Sequence, residues 1–297
     1  MKRSIILLYI AVAFIYSCQS KEKPGGQTSG EEKITVPEWQ KPEKLAYEIK
    51  NTKLWLEDST VTASERNIVY AVNRTDQSNF KRMDSVIVPV DLSGDLVYYL
   101  PFPLKVDYLQ DVEKIVLFSY STQAFAVYEK GVLVRTGQTN MGSKKHTTKT
   151  GLFFTNWKAR KTISTFNDEW ELKWNFNIAN EAGIGWHQYT LPGYPASHSC
   201  LRLNEEDAKY LYTWADQWVL ENKTKVLVKG TPVIVFGTYD FDSPKPWLQL
   251  LSDPHALDIP ESEVKKESAP FLEEILREQE TRKNYNAGKN QEVSVDS

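Results

Sequence analysis

Short runs of apolar residues, separated by turn residues, dominate the sequence between Lys114 and Phe236. Runs of this length that are rich in valine, isoleucine and aromatic residues are typical of β-strands. A turn at residues 129–131 predicts that the flanking runs form a hairpin, and we expect a closing hairpin from the last two runs. The runs are Ile115–Phe118, Ala124–Tyr128, Val132–Val134, Val226–Val228 and Val233–Phe236.

One amphipathic helix interrupts this strand pattern. Asn204 is a favourable N-cap, and Glu205, Glu206 and Asp207 in the first turn complement the helix dipole. The apolar residues that follow recur at helical spacing, and they are Ala208, Leu211, Tyr212, Ala215, Trp218 and Val219. A single helix among many short strands predicts a mostly-β sandwich for this region.

A polar stretch, residues 187–202, precedes the helix and concentrates reactive side chains. It holds Cys200, one of two cysteines, and two of the four histidines, His187 and His198. A cysteine attacks as its thiolate, and a free thiol has a pKa of about 8.5, so it needs a nearby base such as imidazole. Arg202 lies two residues after the thiol, on the same side of an extended segment, where it could hold a carboxylate.

Three other interpretations of Cys200 deserve comparison with cysteine catalysis. A lone cysteine is often a small buried hydrophobic residue, but this one has several polar neighbours that are costly to bury without partners. A zinc site would use His187, His198 and Cys200, yet the stretch offers no convincing fourth ligand. A papain-like protease would place its cysteine well before its histidine. We therefore expect cysteine chemistry, with no metal and no organic cofactor.

The segment Ser197-His198-Ser199-Cys200-Leu201-Arg202 resembles the Ser-His-Gly-Cys-Ile/Val-Arg signature of the L,D-transpeptidases, the YkuD-type catalytic domain. The resemblance implies that Cys200 is the nucleophile and the upstream His187 its base. It also implies that His198 and Arg202 shape the acceptor and carboxylate sites, and that backbone N–H groups at Ser199 and Cys200 bind the oxyanion.

This chain departs from the family pattern in two ways. Ser199 stands where the family has glycine, which suits a backbone with positive φ, and the gap from His187 to Ser197 is shorter than usual. Residues 146–153 resemble the family's Thr-Pro-Thr-Gly-x-Phe segment, with Lys149 in place of proline. The resemblance covers residues 111–238, and we interpret His146 as a surface histidine.

Tryptophan, phenylalanine, asparagine and glycine crowd the segment from Trp170 to Trp186. Aromatic faces and amides suit a groove for sugar or peptide, and the same residues suit a core with turns. The sequence leaves these two interpretations open.

The N-terminus is typical of an export signal. Basic residues precede an apolar run from Ile5 to Ile15, which is shorter than the ~20 residues that span a bilayer. Residues 15–18 resemble a lipobox, so we expect a signal peptide at 1–17, lipid on Cys18 and a flexible tether at 18–44. Because Tyr16 is unusual in a lipobox, a plain secretory signal is the alternative. Gln19 is compatible with outer-membrane delivery in a diderm bacterium.

Residues 45–105 are expected to form a small α+β module, with a helix at 63–73 and an edge strand at 85–90 that ends near Pro89. The pattern faintly resembles half of a LysM peptidoglycan-binding module, and a packing module is the alternative. The catalytic domain is placed at 106–240. Residues 241–297 are expected to be a partly disordered extension without chemistry, with a helical segment at 271–283.

Taken with the resemblance, the sequence predicts a cell-wall L,D-transpeptidase that acts on peptidoglycan tetrapeptide stems outside the cytoplasmic membrane. Cross-linking, stem trimming and release of a wall-linked protein share this chemistry. The alternative is a wall-binding lipoprotein without catalysis. A net charge of -3 does not favour nucleic-acid binding, and we expect a monomer.

Overall fold

The computed structural model describes residues 37–164 and 170–295, and these residues form one compact unit. The expected signal peptide, the lipidated Cys18 and most of the tether lie outside the described residues. Within the described residues, no helix is long and apolar enough to cross a membrane.

Strands predominate in the region expected to be catalytic. In chain order they are β1 Tyr47–Asn51, β2 Ser85–Pro89, β3 Ile115–Ser119, β4 Ala124–Glu129, β5 Val132–Gln138, β6 Gly151–Phe154, β7 Lys158–Ile163, β8 Glu171–Ala179, β9 Ile184–Gln188, β10 Leu201–Leu203, β11 Val219–Leu220, β12 Val226–Val228 and β13 Pro232–Phe236. The α-helices are α1 Thr52–Glu57, α2 Ala63–Val72, α3 Gln77–Phe80, α4 Glu205–Trp214, α5 Glu261–Ser268 and α6 Leu272–Val295. Short 3₁₀ helices span Leu96–Tyr99, Asp107–Leu109, Pro246–Leu251 and Ala269–Phe271. The predicted mostly-β class is confirmed.

Two larger sheets enclose the main core. One has five strands in the order β5-β4-β3-β13-β6, and the other has four in the order β10-β9-β8-β7. Val116 and Phe118 of β3 pack with Trp186 of β9 and Leu211 of α4 in one apolar cluster. Ile115 and Leu117 of the same strand face a second cluster on the opposite side. The central strands are therefore buried on both faces, which explains their unbroken apolar runs.

The predicted closing hairpin is wrong. Strand β13 pairs in parallel with β3 and antiparallel with β6, while β12 pairs with β11. Residues Val233–Phe236 are all buried, and a central position in a sheet buries both faces of a strand. Val226 and Leu227 stay exposed and could not provide that cover.

Helix α4 begins after the predicted cap but ends earlier than the apolar spacing suggests. Asn204 accepts a hydrogen bond from the N–H of Asp207, and the helix stops at Trp214, so the spacing-based extension to Val219 is wrong. Lys158 donates to the carbonyl of Tyr212 at 2.6 Å and Lys114 to that of Trp214 at 3.0 Å. These lysines satisfy carbonyl groups that a longer helix would have used.

The expected N-terminal helix and strand are present. Thr62 and Glu65 form a capping box at the start of α2, and β1 pairs with β2. Residues from the C-terminal part complete both neighbouring cores: Trp247 packs on the N-terminal residues, and Val264 and Ile275 pack under the five-stranded sheet. The C-terminal segment is thus built into the fold.

Candidate active site

The parallel pairing of β9 and β10 brings the two ends of the polar stretch together. In its register Trp186 lies opposite Leu201 and His187 opposite Arg202. Because Trp186 and Leu201 face the core, His187 and Arg202 face the other side of the sheet. Cys200 immediately precedes β10, on the side of Arg202.

A narrow cavity on that side is lined by Cys200, His187, His198 and Arg202, so four of the predicted site residues meet there. Its walls also include Trp170, Leu172 and Tyr189, and the space open to water is only about 20 Å3. A space of this size holds about one water molecule, and Cys200 itself is half-buried.

His187 is buried, with 4% of its surface exposed. Its Nδ1 lies 3.0 Å from the carbonyl oxygen of Gln188, a contact that fits an Nδ1–H donor. Burial lowers the pKa of His187 to about 4, with a smaller contribution from the positive charge of Arg202. The ring is therefore neutral at pH 7, and its Nε2 carries the lone pair that can accept a proton.

The Cys200 thiol is also held neutral. Burial raises its pKa, and the opposing effects of a backbone group and of Arg202 are smaller. Its Sγ lies 3.9 Å from the carbonyl oxygen of Gly183, in the turn before β9. A neutral thiol and a neutral imidazole that line one cavity suit general-base catalysis, in contrast to a preformed thiolate–imidazolium pair.

Ser199 adopts φ of +78°, the conformation expected from the family's glycine at this position. Two hydroxyl groups hold the surrounding backbone. Thr148 donates to the carbonyl of Ser199 at 2.9 Å, and Ser197 donates to the carbonyl of Cys200 at 2.6 Å. Both contacts occupy carbonyl groups and leave the N–H groups of the turn for an incoming oxyanion.

Arg202 has the features of an anion-binding group. Its guanidinium lies 4.5 Å from the ring centre of Tyr189, and no ion pair joins it to any carboxylate among the described residues. Its buried Nε has no hydrogen-bond partner within those residues. A buried donor without a partner is costly, so a ligand carboxylate in the cavity would be bound favourably.

The sequence missed one group at this site. His146 is exposed, as expected of a surface histidine, but its ring stacks on His198 with centres 4.5 Å apart. The ring centre of Trp170 lies 5.0 Å from that of His198. Burial, followed by the charges of His146 and Arg202, lowers the pKa of His198. The only sequence signal was the family-like segment that begins at His146.

The aromatic and asparagine-rich segment divides between the two open interpretations. Phe176 and Trp186 belong to the core, and Asn177 is buried where its backbone pairs with Trp157. Trp170, in contrast, lines the cavity with Cys200. Among the described residues, no group of three histidine, cysteine, aspartate or glutamate side chains is placed to hold a metal ion.

Comparison with known proteins identifies this region. Residues 113–235 match the model of the YkuD family, described as the L,D-transpeptidase catalytic domain. No functionally curated protein matches the chain.

Solved structures that resemble the chain include an L,D-transpeptidase from Stackebrandtia nassauensis, at 24% identity and TM-score 0.35, covering 43% of this chain and 57% of that one. Another is from Mycobacterium tuberculosis H37Rv, at 22% identity and TM-score 0.34, covering 42% and 58%. A third is from Mycobacterium smegmatis, at 18% identity and TM-score 0.34, covering 42% and 59%. The chain thus spans less than two thirds of each of these proteins. Residues 113–235 are therefore similar to the L,D-transpeptidase catalytic domain of the YkuD family.

Proposed function

We propose that the protein is a cell-wall L,D-transpeptidase that transfers acyl groups from peptidoglycan tetrapeptide stems through Cys200. One observation carries the proposal: Cys200, His187 and Arg202 line a single cavity within the segment that matches the family model. The alternative of a wall-binding protein without catalysis has less support, because it does not account for the grouping of a thiol, an imidazole and a guanidinium around one cavity.

In the first half of the reaction, the Cys200 proton passes to Nε2 of His187 as Sγ attacks the carbonyl carbon of an L-centre-to-D-residue amide. Backbone N–H groups near Ser199 and Cys200 stabilise the negative charge on the carbonyl oxygen. The C–N bond then breaks, His187 returns the proton to the departing amine, and a D-amino acid leaves. The stem remains as a thioester on Cys200.

In the second half, an amine from a neighbouring stem attacks the thioester carbon. His187 takes a proton from that amine and delivers it to the leaving Cys200 sulfur, which restores the resting site. Water in place of the amine gives trimming. A wall-linked protein is released when its side-chain amine is the group that departs in the first half and water then hydrolyses the thioester. The leaving group and the acceptor together decide among these outcomes.

Arg202 supplies the binding charge for a stem carboxylate. It lies beside His187 in the strand register, so a bound carboxylate would fix the stem close to the nucleophile. Its position over Tyr189 limits the directions that its guanidinium can take.

The test is muropeptide analysis of sacculi after incubation with the wild type or with Cys200→Ala. We expect new cross-linked or shortened stems, together with free D-amino acid, with the wild type alone. Cys200→Ser provides a second variant that preserves shape. Identical product profiles for the wild type and Cys200→Ala would refute the proposal.

We further propose that the protein faces the cell wall as a lipoprotein anchored through Cys18, in the outer membrane of a diderm bacterium, and works as a monomer. The lipobox-like residues 15–18 support the anchor. Metabolic labelling with a fatty-acid analogue should mark the wild type and not Cys18→Ser. Light scattering of the detergent-solubilised protein should give the mass of one chain.

A further inference from the structure

The connection from β9 to β10 carries the site, and the N-terminal part of the chain holds it. Residues 189–200 cross from one parallel strand to its neighbour, near the minimum of about a dozen residues for such a crossover. The Oγ1 of Thr75 donates to the carbonyl of Leu191 at 2.9 Å. Asp76 donates its N–H to the same carbonyl at 3.1 Å and accepts the N–H of Leu191 on Oδ2 at 2.5 Å. Both backbone groups of Leu191 are therefore bound.

The same connection is fixed from the catalytic side. The carbonyl of Met141 accepts the N–H groups of Ala196 and Ser197, and Asn140 donates to the carbonyl of Tyr194. Gly193, with φ of +80°, lies so close to the N-terminal part that an added Cβ would come within 2.7 Å of Met83. The crossover is thus held between two surfaces.

Arg74, which precedes Thr75 and Asp76, has an unusual backbone conformation and a buried charge. Arg74 has φ of +55° and is 1% exposed, and among the described residues it forms no ion pair with a carboxylate. Its Nε donates to the carbonyl of Thr122 and its Nη1 to that of Ala71, both at 2.6 Å. A left-handed, buried arginine persists only where surrounding contacts determine it. These contacts fix where Thr75 and Asp76 emerge.

We propose that the N-terminal module braces the crossover, with Thr75 and Asp76 as positioning residues that fix the place of Cys200 relative to His187 in the cavity that both line. The kinetic part of this proposal rests on the proposed transpeptidase function. Without these bonds, the crossover could move and displace Cys200 relative to His187. A displacement near 1 Å can lower the rate about 100-fold. The module expected to resemble LysM is here part of the catalytic support.

Asp76 has a second role that the experiment must separate. Its Oδ1 accepts the N–H groups of Ser78 and Asn79 and so caps α3. Serine also caps helices but is one atom too short to bind Leu191 as well. Asp76→Ser therefore keeps the cap and removes the bond to the N–H of Leu191. Thr75→Val removes the hydroxyl bond to the Leu191 carbonyl with little change of volume.

Asp91→Ser is the matched control. Asp91 accepts the N–H of Ser93 locally at 2.9 Å and that of the distant Lys44 at 3.1 Å, without touching the crossover. Serine at this position likewise keeps the local bond and loses the distant one. We expect Asp76→Ser to lower kcat for stem transfer at least tenfold with KM unchanged, and Asp91→Ser to match the wild type.

Two substrate-free measurements accompany the kinetics. Hydrogen exchange of the Leu191 amide should accelerate in Asp76→Ser and stay at the wild-type rate in Asp91→Ser. Iodoacetamide should alkylate Cys200 more slowly in Asp76→Ser, with little further loss in the double variant with His187→Ala, since both changes act on one pair.

The outcomes separate the two proposals. Wild-type protein without stem transfer would refute the proposed function, while alkylation and exchange would still decide the brace. Faster Leu191 exchange with unchanged alkylation, or slower transfer in Asp91→Ser equal to that in Asp76→Ser, would overturn the brace. If Asp76→Ser fails to fold, Thr75→Val decides by transfer and alkylation, because Thr75 binds the carbonyl of Leu191 and not its amide.

Discussion

The two large sheets of this protein differ in regularity, and the reactive groups lie on the less regular one. In the five-stranded sheet, β3 pairs without interruption with both β4 and β13. In the four-stranded sheet, the pairing of β8 with β9 shifts register twice, and Trp174 within β8 has φ of +55°. The crossover that leaves this sheet contains Ser199 at φ of +78°. Irregular backbone re-aims side chains and is found near active sites.

The difference indicates a division of labour. The central strands of the five-stranded sheet are buried on both faces and pack against two apolar clusters. In the four-stranded sheet, irregular backbone lies close to His187, Cys200 and Arg202, and these three side chains line one cavity. Changes to the first sheet should therefore alter stability, and changes to the second should alter chemistry.

The largest effect is expected from the regular sheet. Phe118 is fully buried and lies 5.7 Å from Phe125 and 6.3 Å from Trp186 between ring centres. Phe118→Ala should lower the free energy of unfolding by about 3–5 kcal/mol, the usual cost of such a cavity. Urea denaturation measures it, with Phe118→Leu as the milder control. A loss below about 1 kcal/mol would show that the two sheets do not share this core.

A second effect concerns acid stability. The pKa of His187 is about 4 in the folded protein, below the unfolded value of 6.5. As pH falls, the unfolded chain binds this proton first, so stability present above pH 6.5 is lost as pH falls toward 4. The loss approaches ~3 kcal/mol.

Urea titrations at pH 7.5 and 4.5 measure this loss against the background of other titrating groups. His187→Gln should lose less stability than the wild type between the two pH values, whereas His255→Gln, at an exposed position, should follow the wild type. Parallel losses in all three proteins would mean that His187 is not buried as a neutral ring.

The third effect tests which histidine serves the thiol. His187→Ala should slow acylation of Cys200 by on the order of 100-fold or more, because it removes the general base. His198→Ala should mainly weaken substrate positioning, since its ring packs between His146 and Trp170. The pH dependence of Cys200 alkylation distinguishes them. A wild-type profile in His187→Ala with a lost response in His198→Ala would reverse the assignment.

Much of this architecture is local in origin and was predictable. The cap at Asn204, the turn at 129–131 and the early strands follow from neighbouring residues. The family signature also located the polar stretch. In each case the residues that determine the structure lie within a few positions of one another.

What the sequence did not reveal depends on distant partners. The end of α4 is set by Lys114, which lies just before β3 and donates to the carbonyl of Trp214. The bond from Leu191 to Asp76 joins residues 115 positions apart. The parallel pairing of β13 with β3 likewise depends on which strand offers two buried faces. Contacts between residues so far apart in the sequence leave no local pattern from which they could be predicted.

The smallest expected effect comes from replacing one residue of positive φ in a connection of each sheet. Ser199→Gly in the crossover and Lys130→Gly in the β4–β5 turn both relieve a positive φ, +78° and +45°. A non-glycine residue in this region costs about 1–2 kcal/mol, and glycine returns roughly half of that gain through the entropy of the unfolded chain. Both variants should therefore gain at most about 1 kcal/mol in urea denaturation.

Their effects on chemistry should also be small, because Thr148 and Ser197 already hold the carbonyl groups of Ser199 and Cys200. Acylation in Ser199→Gly should stay within about threefold of the wild type, less than 1 kcal/mol in barrier height. Lys130→Gly should leave it unchanged. A tenfold gain in Ser199→Gly would instead mean that the serine strains the N–H groups that bind the oxyanion. The irregular sheet would then be limiting the reaction that it makes possible.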